Sequence, residues 1–480
     1  MSFNSIEFIL FLPLVFFLYW FVFKSTRKQN LLIVVASYVF YGWWDWRFLI
    51  LIAITTFCSY ASGILIERWE GQRGKQKAIS AANIILNIAI LATFKYYNFF
   101  VNSLNDIFAS LGMSLDWPTA RIILPVGISF YTFQALSYSI DVYRKKIEPQ
   151  HDIVAFFAFI SFFPQLVAGP IERATNLLPQ FVDSRKFDYV KAVDGCRQML
   201  WGFFKKLVVA DTCASIVNSV WSDYSEYSAL NLVLCCVLFS FQVYCDFSGY
   251  SDIAIGCARL FGINLMRNFN YPYFSRNIPE FWRRWHISLM SWFRDYVYFP
   301  LGGSRCPLWR TVFNTYVVFI ISGLWHGADW TFVLYGCYHA TLCSLYRFLP
   351  LKSKFEHNVG YNRLLPSIKE LGMMVLTFIL VSAGRILFRA QNVAMAGDFF
   401  SHICDKSLFC FDNIIGKWPL LLCVGLVIVE WIQRDKQHVL QLTTGGVFKL
   451  RWVRWTLYLG IALFTLLGQG AQQDFIYFQF

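Results

Sequence analysis

Apolar runs of about twenty residues recur from one end of this chain to the other, and nothing constrains its fold more. Each is long enough to cross about 30 Å of hydrocarbon as a helix. In that solvent every backbone N–H and C=O must find a partner inside the protein, so a spanning segment is a helix or part of a closed barrel. A barrel would show short segments of alternating polarity, and the sequence has none. Composition agrees: 57% of residues are hydrophobic and 15% charged, against about a quarter charged in soluble domains. The expectation is an all-α polytopic membrane protein, residues 1–480 forming a single domain. About twelve spans are expected, with re-entrant and in-plane helices besides.

The formal charge of +13 would suggest nucleic acid in a soluble protein. Here the basic residues gather in short joins between apolar runs, which is a membrane-orientation signal and argues against a nucleic-acid partner. Lys24, Arg27 and Lys28 follow the first run, Ile6 to Phe23. Its acidic start and the absence of a small-residue cleavage site make it a retained helix rather than a signal peptide. The joins at Arg68 to Lys77 and Arg144 to Lys146 repeat the signal, which places all three in the cytoplasm and both termini outside. Of the 13 cysteines, most sit singly in apolar runs and read as small hydrophobes. Cys404 and Cys410 could pair if their join faces outside.

The middle of the chain departs from simple crossings. Val154 to Ala168 is short and ends in Phe162-Phe-Pro-Gln-Leu-Val-Ala-Gly-Pro170, whose prolines and glycine break a helix. Irregular backbone at membrane depth is tolerated only when buried in protein or lining a wet cavity, so the break points to a hollow interior. Within the run Leu230 to Ile255, Asp246 and Asp252 need partners or water, and Gly249 permits close backbone approach. They read equally as a polar seam or as site residues. From Arg259 to Arg305 arginine and tryptophan are dense. This stretch reads as amphipathic helices partly sunk into the cytoplasmic face, where Arg283 and Arg284 could hold phosphates.

The sharpest feature is Ser322-Gly-Leu-Trp-His-Gly-Ala-Asp-Trp330, between the apolar runs Thr311 to Ile321 and Thr331 to Leu349. Ionisable groups at membrane depth are expensive and mark functional sites by default, which singles out His326. Asp329, three residues on, either orients the imidazole or meets water at the interface. A second histidine, His286, lies upstream in Arg283-Arg-Trp-His286. His326 with Asp329 does not supply a metal site, and no Walker-type phosphate loop is present. A lone histidine suits general-base catalysis, because it can take a proton from a hydroxyl near neutral pH. Such a base needs an activated electrophile.

Together with Tyr244-Cys-Asp-Phe-Ser-Gly-Tyr-Ser-Asp252, Phe163-Pro-Gln-Leu-Val-Ala-Gly-Pro-Ile-Glu172 and Pro125-Val-Gly-Ile-Ser-Phe-Tyr-Thr-Phe-Gln134, these residues resemble the membrane-bound O-acyltransferases. The bacterial alginate O-acetylation branch is the nearest likeness. It runs from Phe3-Asn-Ser to Phe475-Ile-Tyr-Phe-Gln-Phe480 and is least diagnostic in the carboxyl-terminal third. The resemblance implies a ring of helices around a central funnel or tunnel in a bacterial inner membrane. His326 would be the catalytic histidine and His286 the second motif position. It also implies acetyl transfer from acetyl-CoA or another acyl thioester, with no bound cofactor or metal, to hydroxyls of an extracytoplasmic polysaccharide. Accessory acetylation proteins outside the membrane would assist. Transfer of another acyl group such as D-alanine, or to a lipid or protein, stays open. So does a transporter with a histidine proton relay, although the inverted repeats that would favour it are absent.

From the residues themselves, proton abstraction falls to His326. For His286 the expectation is a supporting role, hydrogen bonding near the donor thioester or holding the tunnel wall; neutral His286 or a nearby tryptophan could donate an N–H to the carbonyl oxygen.

Overall fold

A computed structural model describes every residue except 114–116, 168, 349–357, 362, 412, 443–444 and 477–480. Ala168, Leu349 and Tyr477 to Phe480, named above, therefore lie outside the described residues. All regular structure among the described residues is helical. Among the described residues four helical stretches are long and apolar enough to cross a membrane: Trp46–Arg68, Arg73–Ser110, Ala229–Leu260 and Ile368–Arg389.

The chain divides into two compact units, one of residues 1–195 with 254–266, the other of 196–253 with 267–480. The first contains α1 (Ile6–Phe17), α2 (Thr26–Gly42), α3 (Leu49–Arg68), α4 (Arg73–Leu91), α5 (Tyr97–Ser110), α6 (Ile128–Tyr143), α7 (Ile153–Ser161), α8 (Phe163–Leu166) and α9 (Ala174–Val182). α6 is its axis: nearly every side chain from Ile128 to Val142 is buried, and α3 and α4 pack on it. A helix buried all round reads as mostly apolar or small, as this one does apart from Gln134 and Asp141. The apolar run alone predicts a span from Ile122. The helix instead starts at Ile128, because Pro125 cannot continue a ladder and Gly127 takes φ +73°. The sequence leads one to expect a polar segment around Asn102 to Asp116, yet the chain is helical as far as Ser110, since Phe100, Leu104, Ile107 and Phe108 keep a helical apolar spacing there. The break expected near Phe162 is present. Asp152 caps α7 through Val154 N at 2.9 Å, Phe162 leaves the helical region, and Ser37 Oγ accepts the freed Phe163 N–H at 3.0 Å.

The second unit takes in the end of α10 (Tyr189–Phe203), α11 (Asp211–Ser222) and most of α12 (Ala229–Leu260). It continues with α13 (Ile278–Arg284), α14 (Ile287–Phe293), α15 (Leu308–His326), α16 (Trp330–Phe348), α17 (Ile368–Arg389), α18 (Val393–Ile403), α19 (Lys417–Ile432) and α20 (Arg451–Leu467). Gly249 meets the close approach expected of it: a Cβ there would lie 2.8 Å from Gly202 O, and one at Gly202 would lie 2.6 Å from Gly249 O.

A π-helical turn, Phe204–Ala210, follows α10 and buries Lys205 and Lys206. These lysines answer the aspartates of α12. Lys205 Nζ lies 2.6 Å from Asp252, and Lys206 Nζ lies 2.8 Å from both Asp246 and Asp211. Lys206 also donates to Gln473 O, while Asp246 accepts the Ile476 N–H at 2.7 Å. The carboxyl-terminal segment is thus fastened to the unit's core by charge-assisted hydrogen bonds.

α13 and α14 have seven residues each, too few to cross. They are also not the half-sunk amphipathic surface helices expected: Trp282, Trp285 and Trp292 are all buried. Tryptophan gains more by filling a core than by sitting at an interface when its neighbours are aromatic, and Phe281, Phe269 and Tyr273 all lie around Trp285.

Candidate active site

α15 and α16 form a close hairpin whose turn carries His326 as the last residue of α15. Backbones approach closely at two glycines: a Cβ at Gly323 would run into Phe332 O, and one at Gly336 into Phe319 O. Asp329 caps α16, accepting the Thr331 N–H at 2.9 Å. Its described hydrogen bond is therefore to the helix and not to the imidazole. His326 is 3% exposed and is walled by Trp325, Phe388 and Tyr335, with ring centroids at 4.9, 5.3 and 6.3 Å.

His286 occupies the break between α13 and α14 with φ +45° and ψ +52°. A residue with a Cβ pays about 1–2 kcal/mol for that left-handed geometry, so its surroundings must hold it. Asn268 does so. Its backbone carbonyl accepts the Ile287 N–H at 2.9 Å, and its side chain reaches the ring: Oδ1 lies 3.1 Å from His286 Nδ1. Oδ1 also accepts from Ser288 Oγ at 2.9 Å, while Asn268 Nδ2 donates to Ser251 Oγ at 3.2 Å. Oδ1 is therefore the acceptor, and the proton on His286 sits on Nδ1. Burial pushes the imidazole down to about 3, which keeps it neutral. The expected role as an N–H donor toward a carbonyl is thereby corrected. Its one N–H is committed to Asn268, and Nε2, buried and without a partner among the described residues, is a lone-pair acceptor.

The two histidines belong to one aromatic cluster. Trp325 lies between them, 5.5 Å from the His286 ring and 4.9 Å from the His326 ring, and Phe247 of α12 closes on His286 at 4.7 Å. Two residues of the cluster escape a reading based on motifs. His339 of α16 is fully buried, 4.6 Å from Tyr335 and 4.9 Å from Trp282. Arg385 of α17 is 1% exposed and lies over Trp285, Cζ at 4.4 Å from the ring. The signal for Arg385 was available: one arginine inside the apolar run Leu371 to Phe388 is as costly as a histidine there.

The neighbouring arginines part company. Arg284 donates to Glu280 Oε1 at 2.9 Å and to Asn358 Oδ1 at 3.1 Å, inside a buried network that also holds Arg276. Arg283 instead borders a cleft of about 480 Å3 with Arg294 and Arg347, whose lining also includes Trp282, Met290 and Phe319. Asp246 is spent on Lys206 and Ile476, though its neighbour Phe247 touches His286.

A family model for the membrane-bound O-acyltransferases matches residues 38–383, which include every histidine of the cluster. The chain belongs to the membrane-bound O-acyltransferase family and is an O-acyltransferase. Among its relatives, a Pseudomonas aeruginosa protein named probable alginate O-acetylase is 38% identical over 88% of this chain and 76% of its own length. A Pseudomonas putida protein of the same name is 34% identical over the whole of both chains. A Helicobacter pylori peptidoglycan O-acetyltransferase is 30% identical over 100% of this chain and 97% of its own length.

Proposed function

We propose that this protein moves an acetyl group from a cytoplasmic acyl thioester, acetyl-CoA or an acylated carrier, to a hydroxyl of an exported polysaccharide. It would do so within a multi-pass funnel of about twelve spans in a bacterial inner membrane. The observation that carries the reading is the buried cluster in which Trp325 stands between His286 and His326. His326 takes the proton from the acceptor hydroxyl as its oxygen attacks the thioester carbonyl. The C–O bond forms, the C–S bond breaks, and the thiol leaves with the proton that His326 returns. His286, an acceptor at Nε2, takes a hydrogen bond from an adjoining hydroxyl and fixes the sugar. The donor's phosphates rest on Arg283, Arg294 and Arg347 along the cleft. The relatives named probable alginate O-acetylase and peptidoglycan O-acetyltransferase support the acetyl group and a glycan acceptor, while others, named teichoic acid D-alanyltransferase, keep transfer of D-alanine as the second reading. Accessory proteins outside the membrane would then carry or present the glycan.

The test is acyl transfer by purified protein in lipid nanodiscs. His326→Ala should lose about a hundredfold to ten-thousandfold in rate at any donor concentration. His286→Ala should retain measurable turnover. Normal transfer by His326→Ala would overturn the assignment, and a dead His286 variant beside a merely weakened His326 variant would exchange the two roles.

A further inference from the structure

Between α19 and α20 runs a groove of about 570 Å3 that the transfer step above does not use. Trp201 of α10 and Phe204 of the π-helical turn line it, with Gly425 and Val429 of α19 and Leu457 and Ile461 of α20. Among the described residues Gln433, just past the end of α19, is its one polar lining residue. Leu421 and Ile432 on its rim are exposed, so it opens on the outer surface. On α19 the lining runs from Trp418 to Ile432, about 21 Å of helix at about 1.5 Å per residue. That exceeds the half-thickness of a hydrocarbon core about 30 Å deep, so a lipid tail from one leaflet fits lengthwise. Spread along it, the volume amounts to a cross-section of about 27 Å2, whereas a helix about 10 Å across needs about 80 Å2. Glycine keeps the groove open: a Cβ at Gly425 would meet nothing within 4 Å, so no packing requires glycine there, although it weakens a helix interior.

Positive charge gathers beside it. Arg197 stands one turn before Trp201 on α10, and its Cζ lies 5.2 Å from the Tyr458 ring of α20. Arg197 Nε and Tyr458 Oη are both buried without a hydrogen-bond partner among the described residues. A buried donor left unpaired is costly, so these two point to an acceptor supplied from outside the chain. Arg454, one turn before Tyr458, donates to the carbonyl of Phe448, which belongs to the lining. The single acidic residue in the join between α19 and α20 is Asp435, whose carboxylate accepts from Asn358 Nδ2 at 2.8 Å. A hydrocarbon groove next to cations and two unused donors matches a molecule with an apolar tail and an anionic head.

We propose that this groove seats one anionic glycerophospholipid of the surrounding leaflet. An acyl chain lies along α19 past Gly425, and the phosphate accepts from Arg197 Nε–H and the Tyr458 hydroxyl with the Arg454 charge beside them. Basic residues at a membrane surface attract anionic headgroups in this way. The lipid fills the space bordered by α10, α19 and α20, so it stabilises the folded chain by mass action. The site is separate from the histidines and does not depend on the reaction assigned to them.

The full chain is stripped of lipid in detergent and offered phosphatidylglycerol or phosphatidylcholine with the same acyl chains, and bound lipid is read by native mass spectrometry. The wild type should hold phosphatidylglycerol about tenfold more tightly, the scale of one charged hydrogen bond, and its unfolding midpoint should rise as that lipid is added. Gly425→Trp places an indole in the open groove and should abolish both effects while keeping the lipid-free midpoint and monodisperse elution of the wild type. Gly425→Leu is the second variant should the indole disturb α19. Arg197→Gln combined with Arg454→Gln should leave a bound lipid and bring the preference close to one. Equal binding of the two lipids by the wild type, or undiminished phosphatidylglycerol binding in both Gly425 variants, overturns the proposal. Glycerophosphoglycerol, the head without the chains, is added as a competitor. If it displaces phosphatidylglycerol as well as the intact lipid does, the groove plays no part and the proposal falls. A polypeptide or second copy that Gly425→Trp releases, with lipid binding unchanged, would show that the groove receives a helix and would overturn it too.

Discussion

Replacing Asn268 by alanine removes the contacts that hold His286 in its left-handed geometry and fix its proton. Two of the hydrogen bonds at Oδ1 are short, from His286 Nδ1 at 3.1 Å and from Ser288 Oγ at 2.9 Å. Ser288 Oγ also lies 3.4 Å from Nδ1, so its hydroxyl can turn to accept the imidazole N–H. One buried polar group is then left unsatisfied rather than two, at about 1–3 kcal/mol. Loosening a backbone that carries about 1–2 kcal/mol of left-handed cost offsets part of that loss. Asn268→Ala should therefore lower stability by about 1–3 kcal/mol and leave the protein folded. The rate should suffer more, because an imidazole free to turn no longer aims Nε2 at the acceptor, and misplacement by about 1 Å can cost a hundredfold. Asn268→Asp keeps an oxygen for Nδ1–H and should retain most of the turnover. The assay is acyl transfer at saturating donor, paired with the thermal unfolding midpoint of each variant. Wild-type turnover in Asn268→Ala would refute the positioning role. So would equal loss in Asn268→Ala and Asn268→Asp when both are folded, because only the alanine removes the acceptor.

Lys206→Met should destabilise the protein by about 3–5 kcal/mol, since it leaves Asp211 and Asp246 buried without their cation. Adding Asp211→Asn and Asp246→Asn should restore most of the unfolding temperature. A triple variant no more stable than Lys206→Met would show that the ion cluster is not the source of the loss. Arg283→Ala and Arg347→Ala should each raise the KM for a phosphate-bearing thioester severalfold with little change in kcat, because they border the cleft. Arg284→Ala, whose guanidinium holds Glu280, should act first on stability. A donor KM that responds to Arg284 and not to Arg283 would move the docking site away from the cleft.

The helical class and several helix positions were legible in the sequence because they depend on local periodicity and on residues that cannot continue a helix. Leu371 to Phe388 falls inside α17 and Leu230 to Ile255 inside α12. The broken backbone at Phe162 and the turn after His326 follow from proline and glycine in place. Where prediction slipped, a local rule had been outvoted. The apolar run from Ile122 is longer than its helix because Pro125 and Gly127 intervene.

The site divides along the same line. His326 could be chosen from the sequence because an imidazole next to apolar runs is costly wherever the chain goes. Its relation to His286 through Trp325, the Nδ1 proton fixed by Asn268 and the pairing of Asp246 with Lys206 depend on residues far apart in the chain. So does the divergence of Arg283 from Arg284. The two are adjacent in sequence, but successive residues on a helix point about a hundred degrees apart. One faces Glu280 and the other a cleft. Residue type sets what a side chain can do. Its protonation, its free donors and its reach are set by the neighbours that folding brings to it, and these only the tertiary structure decided.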